Sequence, residues 1–312
     1  MTTRRAVLAA FCGGLGLTAC SRESTASRRD VVAAGQPAAI LIWSVARHRL
    51  AAWPHRPAPE ALRALPPEAA DLPELGRLAG PGRVASPAAI SALNPARIID
   101  YGEADAEHAA VGRRIGEAIG VEWTLIDGAL ARIPAAFRQA GGLLDDAARG
   151  EALADRAEAI LQAWRSAPAG PSFYYARDDD GLETGFRGAL ATEVLEGARW
   201  TNVATGHEGL ARVEFEQIRA WDPEVIVTQN RTFARLAQTS PEWRSRRGGG
   251  RRRILLIPGT PFGWLDRPPS VNRLLGCAWL ATPGDPALSL TMLSRNLYGM
   301  APSEIERPRW LA

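Results

Sequence analysis

Two stretches of this chain repeat one local pattern at a fixed distance. Residues 90–99 and 218–227 each read as a helical segment, an Asx-Pro pair and a short β-branched run. An Asx-Pro pair favours a turn, and a β-branched run after it is typical of a strand. Pro95 and Pro223 correspond and stand 128 residues apart. The repeat predicts two similar α/β lobes.

The segment between the two copies has the clearest helical period. In residues 142–165, Leu153, Ala157 and Trp164 fall at i, i+4 and i+11 and form part of one apolar stripe. Pro168 stops the pattern. We therefore expect one long helix to join the lobes, with these boundaries: N-terminal lobe 31–141, bridging helix 142–167 and C-terminal lobe 168–312.

Strand-like and helical segments alternate through both lobes. Residues 97–101, 123–126, 172–176 and 225–228 predict strands, and the fully apolar stretch 38–45 also reads as a buried strand or the junction of a strand with a helix. This alternation is typical of a largely parallel sheet. The predicted fold class is α/β, with two Rossmann-like lobes joined by a single long helix and a ligand cleft between them.

The first residues have the pattern of an export signal. Arg4 and Arg5 precede a short apolar run, and small residues lead into Cys20. The pattern resembles the bacterial lipoprotein box, in which cleavage precedes the cysteine and its thiol is acylated. We therefore expect a signal peptide over 1–19, a lipid on Cys20, a tether over 20–30, and a periplasm-facing protein held at the membrane.

The charge balance excludes a strongly basic protein. The chain has 37 basic and 34 acidic residues, and removal of the signal peptide would leave it almost neutral. A nucleic-acid partner is therefore not expected. The four histidines and three cysteines have no metal-ligand spacing, so we predict no metal held by the protein.

No catalytic motif is present in the sequence. It contains no nucleophile elbow, P-loop or dinucleotide fingerprint, which favours a binding protein over an enzyme. Three adjacent aspartates at 178–180 point in different directions, so a solvated loop is favoured over a calcium loop. The arginine-rich run at 245–253 is interpreted as a solvated turn.

Aromatic and arginine residues follow several predicted strands. In α/β sheets, ligands bind beyond the carboxyl ends of the strands. Two lobes that present such loops to each other would form a cleft for a bulky, partly aromatic anion. The residues in these regions are Trp43, Trp53, Tyr101, Tyr174, Tyr175, Phe186, Phe262 and Trp264, with Arg49, Arg83, Arg177, Arg187, Arg267 and Arg273.

Two longer stretches carry a family resemblance. They are YYARDDDGLETG at 174–185 and PFGWLDRPPSVNRLLG at 261–276. Both resemble class III substrate-binding proteins of ABC importers, in the branch for iron(III) complexes. The resemblance covers the chain from about Val31 onwards. It implies two α/β lobes bridged by a long helix, capture of a ligand between them, and delivery to an inner-membrane permease.

The resemblance also implies where the ligand binds. Arginines would pair with carboxylate or phenolate groups, and aromatic rings would stack on the ligand. Glu216 would dock the permease. We expect a monomer that transports an iron(III) chelate and holds no cofactor of its own. The predicted ligand-binding residues are Arg83, Ser86, Tyr101, Tyr175, Arg177, Arg187 and Trp264.

Three features depart from the family pattern. Residues 83–87 replace a loop that is usually rich in glycine, threonine and asparagine. Ala88 stands where the first lobe would have a second acidic docking residue, and Arg177-Asp178-Asp179 stands where relatives tend to have Arg-Gly. Two alternatives therefore stay open: the same fold could bind molybdate, tungstate or a corrinoid, or the chain could be a sensor or interaction lipoprotein without a transport role.

Overall fold

The computed structural model describes residues 28–79, 83–247, 249–281, 287–301 and 305–311. The first half of the chain contains a sheet of three parallel strands in the order β1-β2-β3. Its elements are β1 (Val31–Ala33), α1 (Gln36–Ala46), α2 (Pro59–Ala64), α3 (Glu68–Asp71), α4 (Pro87–Ala92), β2 (Arg97–Gly102), α5 (Ala106–Ile119), β3 (Trp123–Asp127) and α6 (Ile133–Leu143).

The second half follows a long helix and contains a five-stranded sheet in the order β10-β9-β8-β4-β6 and a two-stranded sheet β5-β7. The elements are α7 (Ala147–Arg165), β4 (Ser172–Ala176), β5 (Glu183–Gly185), α8 (Glu193–Gly197), β6 (Thr201–Asn202), β7 (Leu210–Arg212), α9 (Phe215–Trp221), β8 (Val225–Thr228), α10 (Arg231–Thr239), α11 (Pro241–Arg244), β9 (Arg253–Leu256), α12 (Arg273–Ala281), α13 (Ala287–Tyr298) and β10 (Arg309–Leu311). The predicted α/β class with parallel sheets is confirmed.

The sequence repeat has the same backbone form in both copies. α4 ends before Asn94, which has φ 44°, and α9 ends before Asp222, which has φ 45°. Asparagine and aspartate tolerate this left-handed conformation better than most residues. The proline that follows leads into β2 in the first copy and β8 in the second. The two halves therefore share a helix, a left-handed Asx-Pro turn and a parallel strand.

The predicted start of the long helix at residue 142 is wrong. α6 extends to Leu143, and α7 begins at Ala147. Asp145 has φ 58°, which interrupts the helix, and the side chain of Asp146 caps α7 by accepting a hydrogen bond of 3.2 Å from the amide of Arg149. The predicted end at Arg165 agrees with the structure.

A close crossing of α6 and α7 explains why residues 141 and 150 are glycines. A Cβ on Gly150 would lie 2.6 Å from the carbonyl oxygen of Phe137, and one on Gly141 would lie 2.9 Å from the Cα of Gly150. Neither position has room for a side chain, so the two helix backbones meet directly.

One hydrophobic core continues across both halves. It includes Trp43 in the first half, Trp164 in α7 and Leu274 in α12. α13 also packs on the first half, where Trp43 Nε1 donates a hydrogen bond of 3.3 Å to the carbonyl oxygen of Tyr298. Besides α7, therefore, α13 holds the halves together. The stretch 38–45, expected as a strand or a strand-to-helix junction, lies within α1.

No described helix combines the length and the hydropathy needed to cross a bilayer. The predicted signal peptide and the lipid-bearing Cys20 lie outside the described residues, so both stay predictions.

Candidate ligand-binding cleft

A cavity of about 520 Å³ opens between the two halves. α1 starts just beyond the carboxyl end of β1 and contributes Gln36, and the loops that follow it contribute further residues of the first half. A single loop between β9 and α12 supplies the opposite wall. The lining residues are Gln36, Pro54, His55, Glu74, Arg77 and Arg83 on one side, and Asp266, Arg267 and Pro268 on the other.

Guanidinium groups dominate the charge of this cleft. Arg83 is 72% exposed and lies 3.8 Å from Glu74, a distance at which an exposed ion pair is weak. Arg267 is exposed and forms no ion pair with any described carboxylate. Arg77 also lines the cavity. The guanidiniums of Arg83 and Arg267 are therefore available at the rim for an anionic ligand.

Asp266 supplies the carboxylate of the second wall, and its charge is neutralised by the largely buried Arg177. Arg177 donates from Nε and Nη2 to Asp266 Oδ2 at 2.8 and 2.7 Å. The side chains are only 10% and 3% exposed, so the pair is largely desolvated. Arg177 also pairs with Glu183. Because both acids already bind it, Arg177 supports the cleft wall and is not a free partner for a ligand.

Tyr175 belongs to the same buried network. Its hydroxyl donates to Asp266 Oδ1 at 2.7 Å and accepts a hydrogen bond of 2.8 Å from Gln229 Nε2. Burial and the neighbouring Asp266 charge raise its pKa well above the usual value. The neutral phenol therefore orients Asp266 and has no exposed surface to offer a ligand.

The loop that carries Asp266 and Arg267 is held by the side-chain amides of half-buried Gln229 and buried Asn272. Gln229 Oε1 accepts a hydrogen bond of 3.1 Å from the amide of Leu265, and Asn272 Nδ2 donates to the carbonyl oxygen of Pro268 at 2.8 Å. The turn is closed by the amide of Gly263, which donates to the carbonyl oxygen of Arg267 at 2.7 Å. The stretch 261–276 that resembled the family thus folds into a rigid support for one wall of the cleft.

Of the seven predicted ligand-binding residues, Arg83 lines this cleft. Trp264 is buried in the core. Tyr101 is also buried, which raises its pKa to about 12, and it borders a neighbouring cavity of about 420 Å³ that shares Arg77 with the cleft. Tyr101 and Trp264, like Tyr175, are buried because large rings at strand ends also fill the core.

Ser86 and Arg187 have local structural roles. Ser86 caps α4 by accepting a hydrogen bond of 3.2 Å from the amide of Ala89. Arg187 is exposed and donates from Nη2 to the carbonyl oxygen of Asn202 at 3.1 Å. Neither lines the cleft. Glu216 lies exposed in the first turn of α9, and Ala88 lies at the same place in α4. The two predicted docking positions therefore correspond in the backbone but differ in charge.

The sequence reasoning missed His55 and Glu74. His55 is 83% exposed, and its Nδ1 lies 3.7 Å from Glu74 Oε1. No spacing pattern singles out this histidine, although the Trp-Pro pair before it signals a turn. Arg267 belongs to the arginines expected near the cleft, but it is not among the seven predicted ligand-binding residues.

One described group of side chains has the geometry of a metal site. Glu103, Asp105 and His108 bring one ligand atom each to within 4.8 Å of one another. All three are exposed, and Asp105 already caps α5 through a hydrogen bond of 2.8 Å from the amide of His108. The cluster stands apart from the nine residues that line the cleft.

A cleft between two α/β halves, walled by loops beyond the carboxyl ends of strands, is the architecture of a two-lobed solute-binding protein. Comparison with solved structures finds neighbours that are ABC-transporter periplasmic solute-binding proteins of the class III type. The family resemblance drawn from the sequence is therefore confirmed. The neighbours are transport proteins and not enzymes, as predicted.

Three neighbours illustrate the likeness. An ABC transporter solute-binding protein from Sulfurospirillum deleyianum aligns with a TM-score of 0.75 and 25% identity over 87% of this chain and 90% of its own. A periplasmic haem-binding protein from Pseudomonas aeruginosa aligns with a TM-score of 0.54 and 21% identity over 81% and 91%. The vitamin B12-binding protein BtuF of Vibrio cholerae aligns with a TM-score of 0.58 and 17% identity over 80% and 94%. No protein-family model and no curated protein matches the sequence.

Proposed function

We propose that this chain is the solute-binding lipoprotein of an ABC import system and that it captures an anionic iron(III) complex for an inner-membrane permease. The observation that carries the proposal is the positive charge of the cleft. Arg83 from the first half and Arg267 from the second half both line the cavity of about 520 Å³. The one carboxylate on the second wall, Asp266, is already neutralised by Arg177.

Cleft size favours a chelate over a bare oxyanion. Molybdate or tungstate needs a tight cluster of backbone amides and hydroxyls, whereas this cavity is wide and is lined by long guanidinium side chains. Arginine forks match the paired oxygens of carboxylate or phenolate groups, which coordinate iron(III) in many chelates. The anchor on Cys20 and the docking role of Glu216 belong to the same proposal.

A ligand panel tests this function. Thermal unfolding of the full chain would be measured with ferric citrate, ferric catecholate and ferric hydroxamate complexes, cobalamin, haem, molybdate and tungstate. A ligand at 100 times its Kd stabilises the folded state by about 2.7 kcal/mol, which shifts Tm by a few degrees. We expect a shift with an anionic ferric complex. Shifts with the oxyanions alone would refute the proposal.

A tetrapyrrole is the second candidate, because the cleft contains a histidine. The exposed imidazole of His55 could coordinate a metal in the ring, and two of the neighbours are described as binding haem and vitamin B12. Titration with haem would distinguish the candidates: a change in the Soret band that is lost in His55→Ala would favour the tetrapyrrole. An unchanged spectrum would favour the chelate.

Ala88 also leaves the non-transport alternative open. Transport by the intact cell, with and without Glu216→Ala, would test it. Uptake that falls in the variant supports docking through the second half alone, whereas uptake that is unaffected by deleting the whole chain would support a sensor role.

A further inference from the structure

A second, larger cavity borders the opposite end of α1 from the ligand-binding cleft. It has a volume of about 760 Å³ and is bordered by the last residues of α1, the start of α7 and the end of α13. α1 has 11 residues, and its first residue borders the cleft. At 1.5 Å per residue the two ends of this helix, which border the two cavities, are about 16 Å apart.

Arginines outnumber acids on the walls of this rear cavity. Four guanidiniums and His48 face two carboxylates, and the charged lining residues are Arg29, Arg47, Arg149, Arg295, Glu68 and Asp146. A concave surface with low-dielectric walls strengthens the field of such an excess charge.

Two of the four arginines have structural partners. Arg47 Nε lies 2.9 Å from Glu68 Oε1. Arg149 donates from Nε to the carbonyl oxygen of Ser44 at 2.9 Å and from Nη2 to that of Asn296 at 2.5 Å, so it binds the carbonyl ends of α1 and α13. Burial lowers the pKa of Arg149, the charge of Asp146 opposes this, and the charge of Arg47 adds to it.

The other two arginines are not neutralised. Neither Arg29 nor Arg295 forms an ion pair with a carboxylate of the described residues, although both line the cavity. The paired Arg47 and Arg149 fix the walls, while Arg29 and Arg295 supply positive charge that no described acid of the protein balances.

We propose that the rear cavity binds a phosphate group. A phosphate presents several acceptor oxygens in different directions and can be reached by guanidiniums from more than one wall, as Arg29 and Arg295 are placed to do. The volume of about 760 Å³ accommodates a phosphate that carries a larger substituent. The group could belong to a soluble phosphate ester or to a phospholipid.

The position of Arg29 makes a lipid source testable. Arg29 lies nine positions after Cys20 in the sequence, and an extended chain of that length reaches at most about 30 Å. If Cys20 carries the proposed lipid, the rear cavity stays within that distance of the headgroups. This lipid arm rests on the proposed anchor, but the phosphate site does not.

Two titrations test the proposal with the full-length Cys20→Ser protein, which carries no acyl chain of its own. Glycerol 3-phosphate would be titrated by calorimetry, and vesicles of phosphatidylglycerol and phosphatidylcholine would be compared by co-sedimentation. We expect Arg29→Ala/Arg295→Ala to weaken binding at least tenfold. The matched control is Arg113→Ala/Arg114→Ala, which removes two exposed arginines from α5 and should leave binding unchanged.

The outcomes distinguish a soluble phosphate ester from a phospholipid headgroup, and they also show whether the proposal is wrong. Binding of glycerol 3-phosphate alone identifies a soluble ester, and binding of phosphatidylglycerol vesicles as well identifies a lipid headgroup. No binding of either probe overturns the proposal, and so does an equal loss in the control variant, since that would reflect net charge alone. Thermal unfolding of each variant checks that it is folded. The ligand panel for the cleft is measured independently, so failure of the phosphate site is distinguished from failure of the proposed function.

Discussion

Arg273 joins the two halves of the molecule through Gly128. Its Nη2 donates a hydrogen bond of 2.6 Å to the carbonyl oxygen of Gly128, and its Nη1 lies 2.7 Å from Glu193 Oε2. Arg273 starts α12 and is fully buried, whereas Gly128 follows β3 in the first half. A buried guanidinium at this position fixes the distance between the halves on one side of the cleft.

Loss of this guanidinium should weaken the fold. Arg273→Ala leaves a buried carbonyl and a half-exposed carboxylate without their partner, so we expect the free energy of unfolding to fall by about 2 kcal/mol. Arg273→Lys keeps the charge but loses the fork, and it should recover part of that loss. Urea denaturation measures both, and an unchanged midpoint for Arg273→Ala would contradict the role of the contact.

The Tyr175 hydroxyl should affect stability and not ligand affinity. Tyr175→Phe removes hydrogen bonds to Asp266 and Gln229, which should cost about 1 kcal/mol. Because the side chain is buried behind Asp266, the Kd for the cleft ligand should change less than twofold. Denaturation and equilibrium titration of the same preparation test this pair of expectations. A tenfold loss of affinity with unchanged stability would restore Tyr175 as a ligand-binding residue.

The crossing of α6 and α7 predicts opposite effects at two neighbouring glycines. Gly150→Ala places a Cβ against the backbone of Phe137 and should destabilise the protein by about 1–3 kcal/mol. Gly142→Ala lies in α6 with no atom within 4 Å of the added Cβ. It should stabilise by up to about 1 kcal/mol through helix propensity. Chemical denaturation of both variants provides the comparison, and similar values for the two would contradict the tight crossing.

Asp100 should make stability depend on pH. Its burial raises the pKa of this carboxyl above the usual value, so the folded state resists ionisation more than the unfolded state does. The stability that protonated Asp100 contributes is fully present below the pKa that this carboxyl has in the unfolded state. It is lost as the pH rises through the higher pKa of the folded state. Asp100→Asn should therefore raise Tm at neutral pH, and the gain should disappear in acid. A gain that is constant with pH would exclude this cause.

The local repeat was predictable because each part has a short-range cause. Asn94 and Asp222 tolerate the left-handed turn, and the proline after each blocks further helix, so the sequence alone indicates where the strand begins. The start of α7 was not predictable in this way. No proline interrupts residues 142–146, and only the conformation of Asp145 and the cap by Asp146 divide the two helices.

The conformation of α1 and the roles of the cleft arginines could not be predicted from the sequence, for other reasons. Residues 38–46 are buried on all sides, so the helix has no apolar period to distinguish it from a strand. Arg177 and Asp266 are 89 residues apart, and no pattern reveals that one neutralises the other. The sequence therefore identified the arginines of the region but could not separate those that support the wall from those that face the cavity.

The central claim is that guanidiniums of both halves bind an anionic ferric complex in the cleft. The most direct test is equilibrium titration of ferric citrate, followed by tryptophan fluorescence, into the wild type, Arg83→Ala/Arg267→Ala and the control Arg187→Ala. We predict saturable binding by the wild type and the control, and at least a tenfold weaker Kd in the double variant. No binding by the wild type, or equal binding by all three proteins, would contradict the claim.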